Sequence, residues 1–191
     1  DHLDAFADNL IEWLGTEDER PSVIHSHYAD AGYVGVRVAN LLGLPLVHTG
    51  HSLGRDKRKR LLAKGLTRDA IESAYNISRR IDAEEEILAN AAPVITSTNN
   101  EIEQQNGLYN YYEPGRMAVI PPGTDLERFR PDGRNGDTAL GADIARFLSD
   151  PDKPLILALS RPDERKNIIT LIEAFGLNAD LQERANLLII A

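Results

Sequence analysis

The chain has no cysteine, a single methionine, a single tryptophan and only 6% aromatic residues. Without cysteine there is neither a disulfide scaffold nor a thiolate metal site. Long apolar runs are missing too. The longest lie near residues 155–159 and 187–191, far short of the roughly 20 residues that a membrane helix needs. Positive charge is in deficit: 21 Lys+Arg face 30 Asp+Glu, for a formal net charge of −9. That balance argues against a general nucleic-acid binder, because a phosphate backbone rewards a basic surface. What is present is ordinary. With 42% hydrophobic and 27% charged residues, the composition suits a globular core rather than a disordered chain. A length of 191 residues accommodates one sizeable domain, or one domain and part of another. A soluble, cytoplasmic protein that engages neither membrane nor nucleic acid is expected. The sequence opens at Asp1 with no signal-peptide pattern and stops at Ala191 directly after an apolar run, so a fragment of a longer protein is expected.

Helical and strand-like segments alternate along the chain. Leu3, Phe6, Leu10, Ile11 and Leu14 recur at helical spacing, and Gly15 follows as a stop. Strands are expected at residues 21–25, 45–49, 93–98 and 117–120. Helices are expected at about 29–42, at 55–63, over one long stretch from Thr67 to about residue 91, and at 100–106. Strands separated by helices imply parallel pairing, so the expected fold class is α/β with doubly wound parallel sheets. Residues 1–123 form the expected first domain. Residues 124–153, which hold Pro131, Gly133, Gly136, Gly141 and Pro151 and one helical patch at 143–148, read as a connection. A new βα unit is expected over 154–191, with a strand at 154–160, a helix at 167–175 and a strand at 186–191. No internal repeat or low-complexity tract interrupts this order.

The charges are not spread evenly. Between His51 and Arg80 there are nine Lys/Arg (Arg55, Lys57, Arg58, Lys59, Arg60, Lys64, Arg68, Arg79, Arg80) against Asp56, Asp69 and Glu72. A basic island in an acidic protein focuses field locally, which suits a small anionic ligand. For Arg58, Lys59 and Arg60 a solvated helix face accounts for the charge. For Lys57 the phosphate reading is sharper, because a glycine-containing turn at Gly54 feeds a helix N-terminus whose N–H groups favour anions. A second basic group, Ser160-Arg161-Pro162-Asp163-Glu164-Arg165-Lys166-Asn167, follows a strand and opens a helix, where open α/β sheets bind ligands. Arg161 and Lys166 can converge there on a diphosphate, or the segment can be a charged loop capping a helix; spacing alone does not separate the two. His25, His27, His48 and His51 cluster at two strand ends without a recognisable metal-ligand spacing. His51, between a strand and the basic helix, is the best placed to touch a substrate. Neither a dinucleotide fingerprint nor a nucleophile elbow is present.

These segments resemble the sucrose-phosphate synthases. The resemblance rests on His25-Ser26-His27-Tyr28-Ala29-Asp30-Ala31-Gly32, Thr49-Gly50-His51-Ser52-Leu53-Gly54-Arg55-Asp56-Lys57, Ser78-Arg79-Arg80-Ile81-Asp82-Ala83-Glu84-Glu85, Ile95-Thr96-Ser97-Thr98, Val119-Ile120-Pro121-Pro122-Gly123 and the segment from Ser160 to Asn167. It covers nearly the whole chain in the same order. It implies the GT-B architecture of two Rossmann-like domains, incomplete at both ends here: residues 1–123 as the C-terminal part of the acceptor-binding domain, lacking part of the acceptor pocket, and residues 154–191 as the start of the nucleotide-sugar-binding domain. It also implies transfer of glucose from UDP-glucose to fructose 6-phosphate with retention of configuration, giving sucrose 6-phosphate and UDP. By matching position, His51 contacts the glucosyl unit, Lys57 with Arg79 or Arg80 holds the acceptor phosphate, and Arg161 with Lys166 holds the donor diphosphate. His51, Arg161 and Lys166 are the implied catalytic residues. No metal and no cofactor beyond the donor substrate is implied, and a sucrose-phosphate phosphatase domain or protein is the implied downstream partner. The family's donor domain continues past the last residue of this chain, so the chain is expected to be inactive alone. The alternatives are a sibling hexosyltransferase such as mannosylfructose-phosphate synthase and, from another class, a non-catalytic sugar-phosphate-binding module.

Overall fold

A computed structural model describes residues 2–130 and 139–191. Two compact units divide it, Asp1–Thr124 and Asp125–Ala191.

The first unit is built on four parallel strands, β1 (Ile24–His27), β2 (Leu46–Thr49), β3 (Val94–Thr96) and β4 (Met117–Val119), which lie side by side in chain order. β1 pairs with β2 in the register Ile24↔Leu46 to His27↔Thr49. The first strand sits later than the expected 21–25. The ladder begins where the Ile24 N–H donates to the Pro45 carbonyl at 3.0 Å, and it continues through the polar His25-Ser26-His27. Alternation decides which side chains are buried. Ser26, Leu46, His48, Val94 and Thr96 are buried, whereas His25 and His27 on the other face are exposed.

Helices α1 (His2–Leu14), α2 (Tyr28–Leu42) and α5 (Ile77–Asn90) supply the apolar cover. Val36, Leu46, Ile71, Ile81, Ile87 and Val94 belong to one contiguous core cluster, and Ala7, Val34 and Val38 form a second beneath α1. Gly32 permits the α2–α5 contact, because a Cβ there would stand 2.1 Å from the Ile87 Cδ1. Between β2 and β3 run α3 (Gly54–Ala63), α4 (Arg68–Tyr75) and α5. The long helix expected from Thr67 is thus two helices. Asn76 breaks it in the left-handed conformation (φ 47°, ψ 45°), donating its N–H to the Glu72 carbonyl at 2.8 Å. Asparagine tolerates that conformation better than other non-glycine residues. The Glu72 carboxylate then accepts the Ser78 N–H at 3.0 Å and the Ser78 hydroxyl at 2.7 Å, which opens the next helix. The short helix expected at 100–106 is a π turn, Glu101–Gln105.

In the second unit, β5 (Leu155–Leu159) pairs in parallel with β6 (Asn186–Ile190), and α7 (Ile168–Gly176) and α8 (Ala179–Arg184) lie between them in sequence. A further helix, α6 (Ala139–Ala145), starts earlier than the expected patch at 143–148. Pro131, Gly133 and Gly136 of the expected connection lie outside the described residues.

Candidate functional site

The strand ends of β1 and β2 bring three of the four clustered histidines together on the exposed face. His27 Nδ1 lies 2.8 Å from His51 Nε2, and His25 Nε2 lies 2.9 Å from the Thr49 hydroxyl. The His25 and His27 ring centroids are 4.4 Å apart, and the His51 ring lies against Tyr28 at 4.7 Å. Both Tyr28 (φ 65°) and His51 (φ 52°) occupy the left-handed region. For non-glycine residues that costs about 1–3 kcal/mol each and is characteristic of functional positions. His48 is different: it is buried on the other face, with Nδ1 2.9 Å from the Ser26 hydroxyl. Burial, with the charges of the neighbouring histidines, pushes its pKa down to about 4. Among the described residues no group of three His, Cys, Asp or Glu is arranged to hold a metal ion.

Beside this cluster lies a cleft of about 650 Å³ whose walls include Tyr28, Tyr75, Arg79, Arg80, Asp82 and Glu86. Tyr28 belongs both to the cleft wall and to the His51 contact, while His51 itself lines a smaller pocket with Thr49, Gly50, Leu53 and Ile95. Lys57 reaches the same wall, its Nζ 3.8 Å from the Tyr75 ring centroid. Burial, and then the charge of Arg80, lower the Lys57 pKa. Lys57 is thus gathered at one end of the unit with Arg79 and Arg80, which lie 22 and 23 positions further along the sequence. Tyr28, Tyr75, Asp82 and Glu86 were not singled out from the sequence. Arg79, Asp82 and Glu86 do carry a legible signal, because spacings of three and seven place them on one helix face.

Arg55, Arg60 and Arg80 of the basic island pair with carboxylates of the first unit. Glu84, buried on α5, accepts the Gly54 N–H at 2.8 Å and Arg80 Nε at 2.9 Å, and it also accepts the Tyr109 hydroxyl proton. Arg80 also donates to the Ser52 carbonyl. The Arg55 N–H donates to the Tyr109 oxygen at 3.0 Å, and the Arg55 guanidinium pairs with Glu85. The α3 N-terminus is therefore capped by a carboxylate and a phenol of the protein. Burial, followed by the Glu84 charge, raises the Tyr109 pKa. Gly54 is required there, since a Cβ would stand 2.8 Å from Glu84 Oε2. Arg60 pairs with Asp56 at 2.6 Å, one turn away. These pairings fix Arg80 beside the His51 loop.

In the second unit, Arg161 and Lys166 share the loop between β5 and α7. A 3₁₀ turn, Glu164–Lys166, carries Lys166, and Asn167 (φ 51°) leads into the helix. The Asp163 carboxylate stands between two guanidinium groups, 3.7 Å from Arg161 and 3.5 Å from Arg165. Burial works to raise the Asp163 pKa, but the Arg165 hydrogen bond and the two arginine charges outweigh it and lower the value. Arg161 and Lys166 are both exposed. Two cations thus stand at a helix start past a parallel strand end, the place where open α/β sheets bind their ligands.

Parallel sheets with exposed cationic loops at the strand ends are the framework of the nucleotide-sugar glycosyltransferases of the GT-B type, and solved structures of that class share the fold. The chain aligns with sucrose-phosphate synthase from Thermosynechococcus elongatus at a TM-score of 0.56 and 21% identity, over 99% of this chain and 50% of that one. It aligns with Anabaena HepE in complex with UDP at a TM-score of 0.53 and 14% identity, over 98% of this chain and 52% of that one. The chain belongs to Glycosyltransferase Family 4, whose sequence profile matches residues 2–128. It is 44% identical over 240 aligned positions to a Craterostigma plantagineum protein named probable sucrose-phosphate synthase 2, covering 99% of this chain and 22% of the relative. The chain thus spans about a fifth of the length of the curated relatives it matches. No helix among the described residues is long and apolar enough to cross a membrane.

Proposed function

We propose that the chain is the acceptor-binding region and the first donor-binding elements of a cytoplasmic sucrose-phosphate synthase, transferring glucose from UDP-glucose to fructose 6-phosphate. The observation that carries this reading is the cleft of the first unit. Arg79 and Arg80 line it, Lys57 reaches its wall over Tyr75, and carboxylates at Asp82 and Glu86 stand on the same helix. A phosphorylated sugar needs this combination: cations for the phosphate, an aromatic face for the ring, and carboxylates that accept hydroxyl protons. The names of the relatives, at up to 44% identity, favour this acceptor over those of sibling hexosyltransferases. Conventional acid–base pairing is not called on for the transfer itself. The cations Arg161 and Lys166 would hold the donor diphosphate, where negative charge grows as the glycosidic bond breaks, and such charge is stabilised best by preorganised donors. His51, whose ring lies against Tyr28 of the cleft wall, would meet the glucosyl unit.

Titration calorimetry of this chain tests the acceptor assignment. Fructose 6-phosphate is expected to bind and unphosphorylated fructose to bind at least about tenfold more weakly, since charge-assisted hydrogen bonds are worth about 1.5–3 kcal/mol each. Lys57→Ala should abolish most of that preference. Equal affinity for the two ligands would reject the phosphate site.

A further inference from the structure

The ring of His51 is not held by the core. It is exposed, as are His25, His27 and Tyr28, and its backbone is in a strained conformation at φ 52°. Nevertheless one of its ring nitrogens has a defined partner: His27, the last residue of β1, places Nδ1 2.8 Å from His51 Nε2, with the ring planes inclined by 26°. A neutral imidazole carries one N–H and one bare nitrogen. Two imidazole nitrogens at this distance need one proton between them, so the hydrogen-bonding role of each ring is tied to that of the other. Whichever nitrogen carries the shared proton, the remaining His51 nitrogen, Nδ1, is left with the complementary role. The partner of one ring nitrogen fixes the tautomer of the other.

Two further contacts restrict the pair. On one side the His25 ring lies 4.4 Å from His27, and His25 is itself tied to Thr49, the residue that opposes His27 in the β1–β2 register. On the other, Tyr28, also strained at φ 65°, lies 4.7 Å from His51. Four consecutive rings therefore run along the strand ends to the cleft that Tyr28 lines. Strain at both Tyr28 and His51 is what would be expected if the fold holds these two side chains against each other at a stability cost.

From this geometry we propose that His27 is the positioning residue of His51. One shared proton between His27 Nδ1 and His51 Nε2 would set the tautomer and ring orientation with which His51 meets its ligand. The inference rests on the reading above only for the identity of that ligand, and the pairing itself is testable without it.

The test is ¹⁵N NMR of the histidine rings at neutral pH in the native chain and in three variants. His27→Phe keeps a ring but offers no nitrogen, His27→Asn places an amide near the position of Nδ1, and His27→Gln places one near Nε2 instead. The expected result is a nitrogen–nitrogen coupling across the His27–His51 bond and a single His51 tautomer in the native chain. His27→Phe and His27→Gln should show an averaged His51 tautomer, and His27→Asn, which keeps a hydrogen-bonding group near the position of Nδ1, should move the His51 spectrum back toward the native one. Since His27→Phe can fail to fold, His27→Gln carries the negative arm alone if the circular dichroism of the first is lost. A mixed tautomer in the native chain, or the same His51 spectrum in His27→Gln as in the native chain, overturns the proposal. Turnover is read separately in a protein of the relatives' full length. A single His51 tautomer in the native protein of that length, averaged in His27→Gln while kcat stays normal, would leave the pairing standing and remove His51 from the reaction, a failure of the functional reading rather than of this one.

Discussion

His48 shows how one residue ties acidity to stability. It is 3% exposed and its pKa is pushed down to about 4, first by burial and then by its histidine neighbours. Between the ordinary value of 6.5 and about 4, the unfolded chain binds a proton that the native chain refuses. Acidification through that window therefore favours unfolding, and the contribution is fully present only above the ordinary value. Each pH unit inside the window is worth about 1.4 kcal/mol. Urea midpoints at pH 7 and pH 5 should show the native chain losing about 2 kcal/mol more than His48→Asn over that range. Equal losses would mean that His48 is protonated, or accessible, in the native state. Lys57 shows the opposite use of a low-dielectric setting. Its pKa is lowered by partial burial and by the charge of Arg80, and the ammonium rests on the Tyr75 ring, a contact that leaves its other side open to an anion.

At the scale of elements, the α2–α5 contact orders the first unit, because it brings the two helices that flank the cleft together. Gly32→Ala would drive a methyl group into Ile87, and overpacking of this kind costs about 1–3 kcal/mol. A urea midpoint unchanged by Gly32→Ala would show that Ile87 has room to move. The alternation of elements was legible because apolar periodicity switches between helical and strand spacing. The strand at Ile24–His27 was misplaced because His-Ser-His has no apolar signal; parallel pairing and a buried Ser26–His48 contact decide its extent. The break at Asn76 was invisible for a related reason, since the apolar pattern runs through it and only the left-handed preference of asparagine marks it. The cation cluster and the place of His51 were legible from local composition. That the α3 N-terminus is closed by Glu84 was not, because the carboxylate lies 30 residues further along the chain. Only packing of α3 on α5 brings it there.

At the scale of the whole molecule, the chain carries two separate sets of cations in two units, one around Lys57 and Arg79 in Asp1–Thr124 and one around Arg161 and Lys166 in Asp125–Ala191. The central claim is that the first set serves the acceptor and the second the donor. The family profile covers the first unit and only the opening residues of the second, so the donor role leans more heavily on the loop geometry at the end of β5. The most direct measurement is steady-state kinetics of Lys57→Ala and Lys166→Ala in a protein of the relatives' full length, with UDP-glucose and fructose 6-phosphate both varied. Lys57→Ala should raise the KM for fructose 6-phosphate about tenfold or more and leave the KM for UDP-glucose nearly unchanged. Lys166→Ala should lower kcat by about 10²–10³, because under the proposed assignment its contact with the departing diphosphate would strengthen in the transition state. If Lys57→Ala weakens the donor instead, or if Lys166→Ala keeps its kcat and raises only the KM for the acceptor, the assignment of the two sets is contradicted.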